Sequence, residues 1–304
     1  MKKALSIFIL SLGFLAFENV AYAQEEINKC WNFNDSGDYE RAVQVGKIAV
    51  KKYPENVSAY GCLGLAYYNV GEFKLAYEVL KKAASLTDNK EVLMYIYNQI
   101  GLTLEKMGYL DDAIPYFRKS ISLAKDLGNK DMQFQILNYI GMSYKNKVEL
   151  DKALSYYEES LSLLNNEKEK VDIYGDIASI YAEKGDYKKA INYYQKAIET
   201  AEKYGDYRGA SIQKLNLGDT YTKMKDYKKA KKYLSEGLEG VKKAEDKFWE
   251  GVGYLFFGKL YKDKGDIKTA KEYYTSAYDL YKSLGVEVLA EKILEDIKKL
   301  DKSK

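Results

Sequence analysis

Few residues in this sequence have the types and spacing that chemistry needs. Asn32, Asn34 and Ser36 alternate ahead of Gly37, as the oxygen ligands of a calcium loop do, but the closing bidentate position falls on Val43, so the stretch reads as a turn between helices. Gly251 and Gly253, followed by Gly258, have the look of a glycine-rich nucleotide loop. No strand precedes them, and close packing inside a helix is the reading they support. The chain has no histidine, which removes the commonest general base and the usual catalytic triads. Walker-type and Gly-x-Ser-x-Gly patterns do not occur. Groove carboxylates such as Glu105 and Asp219 are the residues whose replacement would test for any turnover. The expectation is a protein that is not an enzyme and that uses no cofactor and no metal.

The elements that carry these residues follow from composition and repetition. With 48 Lys+Arg against 45 Asp+Glu, the net charge of +3 makes no electrostatic case for nucleic acid. Two prolines in 304 residues, among many helix formers, predict an all-α chain. One phrase recurs, beginning at Phe33, Tyr67, Leu104, Tyr144, Tyr181, Tyr221 and Tyr261, at intervals of 34, 37, 40, 37, 40 and 40 residues. A tandem period of that length without β-branched runs implies one helical hairpin per unit. In the unit YAEKGDYKKAINYYQKAI, Lys184-Gly185-Asp186 breaks the pattern, Asp186 is placed to cap the next helix, and Tyr187, Ala190, Ile191, Tyr194 and Ala197 form its apolar stripe.

The second unit carries Tyr60, Leu63-Gly64, Tyr67, Ala76, Leu80 and Ala83, and this pattern resembles the tetratricopeptide repeat (TPR) family. Small residues recur at Gly101, Gly141, Ala178, Gly218 and Gly258 on the first helices and at Ala42, Ala76, Ala113, Ala153, Ala190, Ala230 and Ala270 on the second. The longer 37- and 40-residue units resemble the longer-helix form of the repeat, with Gly128-Asn129 and Gly205-Asp206 as helix stops. The resemblance implies a right-handed superhelical solenoid of about seven hairpins over residues 24–285. A capping helix and tail over 286–304 would bury the last open face with Val288, Leu289, Ile293, Ile297 and Leu300.

By the same resemblance the first helices line the inner face. The frame then places Trp31, Leu65, Tyr68, Asn69, Tyr95, Asn98, Leu102, Gln135, Asn138, Met142 and Asn146 along one groove. Carboxamides offer a peptide backbone both donor and acceptor, and the apolar members offer side-chain pockets. The Lys and Asn clamp with which some family members hold a C-terminal carboxylate is missing, its places being taken by Ile27, Gly61, Trp31, Leu65, Leu102 and Met142. Further along, Ile212, Leu215, Val252 and Leu255 make the groove more apolar and suited to an amphipathic partner helix.

Lys2 and Lys3, the apolar run from Ala4 to Phe17 and the Ala21-Tyr22-Ala23 site read as a secretory signal over residues 1–23, cleaved before Gln24. Glu18 and Asn19 close the run, which argues against a retained anchor. Export to a periplasm is the expectation, with secretion beyond it the alternative, and no membrane insertion of the mature chain. In an oxidising compartment Cys30 and Cys62, on the first helices of neighbouring hairpins, are either a disulfide or two buried thiols. The expected function is a monomeric, non-catalytic scaffold that binds a protein, as a peptide or partner helix, in the groove. The alternative is a regulatory module that senses a ligand or peptide.

Overall fold

A computed structural model describes residues 25–164 and 166–301. The signal-peptide reading of residues 1–23 and the tail 302–304 lie outside the described residues. Among those described there are fifteen α-helices, one 3-10 turn at Glu167–Glu169 and no strand. The helices gather into two compact units, one ending at Leu163 and the next beginning at Leu164.

The first unit holds four hairpins: α1 (Glu25–Ser36) with α2 (Tyr39–Lys52), α3 (Val57–Asn69) with α4 (Phe73–Ser85), α5 (Lys90–Lys106) with α6 (Leu110–Asp126), and α7 (Lys130–Asn146) with α8 (Leu150–Leu163). The second unit holds three: α9 (Lys170–Glu183) with α10 (Tyr187–Lys203), α11 (Tyr207–Lys223) with α12 (Tyr227–Lys243), and α13 (Lys247–Asp263) with α14 (Ile267–Ser283). A last helix, α15 (Glu287–Asp301), packs on α14.

The helices begin and end where local chemistry dictates. Asp186 accepts a hydrogen bond from the Lys189 backbone N–H, and Asp206, Asp226, Asp246 and Asp266 cap α11 to α14 in the same way. Between α9 and α10 the chain reverses through Gly185 at φ +79°, a conformation costly for residues with a Cβ. At the matching turn between α7 and α8 that place is held by Val148 at φ +61°, with its side chain 74% exposed. In α10, Ala190, Tyr194, Ala197, Ile198 and Ala201 are buried at helical spacing while Lys188, Lys189 and Lys196 face water.

In the hairpins after the first, a small residue on the first helix admits a large one from the second. A Cβ built on Gly218 would lie 2.6 Å from the Leu234 side chain, and one on Gly258 would lie 2.7 Å from the Tyr274 ring. These glycines set the approach of the two helices, as their recurrence predicts. A second repeated contact stacks two tyrosines across the hairpin: Tyr144 on Tyr156, Tyr181 on Tyr193, Tyr221 on Tyr233 and Tyr261 on Tyr273. Their centroids are 5.4 to 5.7 Å apart.

At the start of the first unit, Cys30 and Cys62 are bonded, with Cα atoms 6.3 Å apart. Asn34, in the stretch with calcium-loop spacing, is turned inward, and its side-chain N–H donates to the carbonyls of Cys30 and Cys62, each at 3.3 Å. At the other end of the chain the cap differs from expectation at one position. Val288 is 80% exposed, and the buried side of α15 is formed by Ala290, Ile293 and Leu300, with Val286, Leu289 and Ile297 beside them. One residue corresponds to roughly 100° around a helix, enough to turn Val288 to solvent.

Candidate functional site

The first helices of the first unit carry all eleven residues expected along the groove, and the structure sorts them by depth. Trp31, Leu65 and Tyr95 are core residues, at most 6% exposed, and the Trp31 indole N–H donates to Ser58 Oγ at 3.0 Å. They fill the contacts between helices, where a large side chain buries the most apolar surface, so they are not groove lining. Tyr68, Asn69, Leu102, Gln135 and Asn138 are half-buried, and Met142 and Asn146 are exposed. The Asn69 side-chain N–H donates to Asn34 Oδ1 at 3.4 Å, tying it to α1.

Asn98 and Asn138 stand apart. They occupy the same frame position on α5 and α7, six residues before Leu104 and Tyr144 respectively. Asn98 is 6% exposed, and the Oδ1 atoms of both residues are buried with no hydrogen-bond partner, as is Gln99 Nε2. A buried polar atom left unpaired costs about 1–3 kcal/mol, so such groups are uncommon in folded proteins and call for an explanation.

Glu105 follows Asn98 on α5 by seven residues, two helical turns along one face. Its carboxyl makes no hydrogen bond or ion pair among the described residues. Burial pushes it above the usual glutamate value, with only the Lys106 charge opposing. Burial pushes the Tyr68 hydroxyl up to about 12, with the charges of Tyr139 and Glu105 adding to the effect. Tyr139 is raised by burial and then by Glu105. Three helices therefore bring Tyr68, Glu105 and Tyr139 within electrostatic reach of one another. The two rings are held in place, Tyr139 stacked on Phe117 at 5.8 Å and Tyr68 edge-on to Phe73 at 5.6 Å. Tyr139 was not among the expected lining residues. Its signal was its position next to Asn138, on the half-buried side of α7.

In the second unit the expected apolar stretch is mostly spent on the fold. Ile212 and Leu215 are core residues packed with Leu238 and Phe257, leaving only Val252 and Leu255 half-buried. Gly237 leaves room for the Leu215 side chain, which a Cβ there would meet at 2.8 Å. Asp219 is buried and paired with Lys223 at 3.2 Å and Lys259 at 3.8 Å. Among the described residues no group of three or more Asp, Glu or Cys is placed to hold a metal ion, and no helix is long and apolar enough to cross a membrane.

Hairpins of two helices, repeated every 34 to 40 residues and locked by a small residue against a large one, define an α-helical repeat protein. Family models described as tetratricopeptide repeat match residues 33–90, 95–127 and, in overlapping stretches, 132–203, 169–243 and 210–283. The chain belongs to the tetratricopeptide repeat family. A TPR repeat-containing protein of Methanocaldococcus jannaschii is 31% identical over 106 residues, a match spanning 35% of this chain and 16% of that protein. The apo form of RapI superposes with a TM-score of 0.66 at 16% identity, covering 86% of this chain and 97% of that one. The APC/C hetero-tetramer Cut9–Hcn1 gives 0.62 at 17% identity, covering 98% of this chain and 52% of that one. A Rap protein complexed with competence and sporulation factor gives 0.59 at 13% identity, covering 99% and 98%. These structural likenesses are of fold alone.

Proposed function

We propose that this protein is an exported, non-catalytic scaffold that binds an extended peptide segment of another protein along the inner face of its first unit. The observation that carries the reading is the pair Asn98 and Asn138. Each is a carboxamide on successive first helices, with an oxygen that is buried and unpaired. A peptide backbone supplies N–H donors at regular intervals along an extended strand, which is what two such acceptors in register require. The half-buried Leu102 and the exposed Met142, at equivalent places one turn further on, offer apolar contact to side chains of the same peptide.

The test is selection from a random-sequence peptide library displayed on phage, with the residue 24–304 chain as bait, followed by calorimetry on the enriched peptides. Peptides that bind the native chain and are lost by a folded Asn98→Ala, Asn138→Ala double variant support the reading. Equal binding by both chains would move the site elsewhere.

A sensing role, in which a small peptide changes the shape of the chain and so its affinity for a further partner, suits the fold shared with a Rap protein complexed with competence and sporulation factor. It separates from a plain scaffold in small-angle scattering. A sensor's radius of gyration changes when the enriched peptide is added, and a scaffold's does not.

A further inference from the structure

We propose that Glu105, with Tyr68 and Tyr139 on the flanking first helices, forms a subsite for the cationic side chain of a lysine or arginine in a peptide lying along the inner face of the first unit. This rests on the peptide-binding reading above and specifies the chemistry of one of its positions.

Several carboxylates elsewhere in the first unit have found cations of their own. Glu26 pairs with Lys52 at 2.8 Å, Asp126 with Lys90 at 3.1 Å and Glu159 with Lys125 at 3.1 Å. Glu105 is half-buried, more enclosed than Asp126 or Glu159, and has none. An unpaired carboxylate removed from water is unfavourable unless a positive charge is brought to it. Tyr68 and Tyr139, whose hydroxyls feel the Glu105 charge, favour the same occupant, because the face of a tyrosine ring attracts a cation. Each ring packs against a phenylalanine, Tyr68 on Phe73 and Tyr139 on Phe117, so both are held in place before any partner arrives. Asn98 supplies the independent sign that something binds here. It lies on the same face of α5 two turns away, is more than nine-tenths buried, and its Oδ1 has no partner.

A bare metal ion is a poor fit. One carboxylate and two phenols fall short of the six to eight oxygens that calcium takes. A lysine or arginine matches better, since its apolar stem can lie against Leu102 and the rings while its charged end meets Glu105.

The phage-displayed random library is panned in parallel against the native chain and against Glu105→Lys, each checked for helical content by circular dichroism. The expected result is a recurring Lys or Arg at one position of the peptides enriched on the native chain, replaced by Asp or Glu on the charge-reversed chain. In calorimetry, the best native-selected peptide should bind Glu105→Gln about tenfold more weakly or worse, as should an analogue with norleucine at the basic position on the native chain. Peptides with no recurring basic position, or a basic preference unchanged on Glu105→Lys, overturn the subsite and leave peptide binding standing. If the native chain enriches nothing, the peptide reading falls and the subsite falls with it.

Discussion

Phe117 and Tyr139 stack at 5.8 Å although they belong to different hairpins, one on α6 and the other on α7. The Phe117 ring also presses on Gly101, where a Cβ would lie 2.6 Å away. A single aromatic ring thus joins the packing of the third hairpin to one tyrosine of the proposed cation subsite. Gly101→Ala must shift Phe117 and should cost about 1–3 kcal/mol, read from chemical denaturation. Peptides selected on the native chain should bind this variant more weakly, although no residue that touches them has been changed.

Asn98→Leu should separate binding from stability. The substitution keeps the branched shape and heavy-atom count of the side chain and removes a buried acceptor that has no partner, so stability should stay level or rise, by up to about 1 kcal/mol. Peptide affinity should fall at the same time. A structural asparagine would behave in the opposite way, losing stability on substitution.

Reduction of the Cys30–Cys62 bond should loosen the start of the first unit. The bond spans 32 residues of sequence, and chain entropy alone assigns a loop of that size about 3–4 kcal/mol. In a Trp249→Phe background, fluorescence from Trp31 reports on α1 alone. Its emission should shift to the red in dithiothreitol at denaturant concentrations that leave the helical signal of the rest unchanged.

Val148→Gly should stabilise the protein. A β-branched residue at φ +61° is strained, and the side chain is 74% exposed, so little packing is lost. Relief of roughly 1–2 kcal/mol, less the entropy glycine adds to the unfolded chain, leaves a net gain of about 0.5–1 kcal/mol. Thermal unfolding would reveal it as a raised midpoint.

Peptide binding should depend on pH through Glu105. The groups whose charge it shares are Tyr68 and Tyr139 on neighbouring helices and Lys106 on its own. Burial raises its pKa, so in the free chain the charged form is the disfavoured one, and its effect on stability becomes more favourable as pH falls through the raised value. Binding of a cation runs the other way. Affinity should be full above that pKa and decline as pH falls through it, with a midpoint above the ordinary glutamate value, while Glu105→Gln should show no such decline. Calorimetry across the acidic range checks both.

The repeat frame made the fold legible down to single contacts. The recurring small residues Gly218 and Gly258 stand where large side chains enter, Asp186 caps α10, and the chain turns at Gly185. The inner face was less legible, because neighbouring positions on a helix differ by roughly 100° and one step separates lining from core. Trp31 and Leu65 share the frame position of Leu102 and Met142, yet the first two are enclosed and the last two reach the surface. Asn138 could be picked out by residue type, but Tyr139 matters through a ring stack on Phe117 that no local pattern announces. Ile212 and Leu215 read as exposed apolar surface until the tertiary packing of the second unit showed what covers them.

The second unit repeats its contacts at a constant interval: a small residue against Tyr194, Leu234 or Tyr274, and a stacked tyrosine pair in each hairpin. Joints of one pattern can accept one another's parts. Excising residues 187–226 would set α12 directly after α9, bringing Leu234 to Ala178 in place of Tyr194 and ending at the same aspartate cap. The length of this protein is therefore a quantity that whole-hairpin duplication or loss can change in single steps, with no new surface needing to be made.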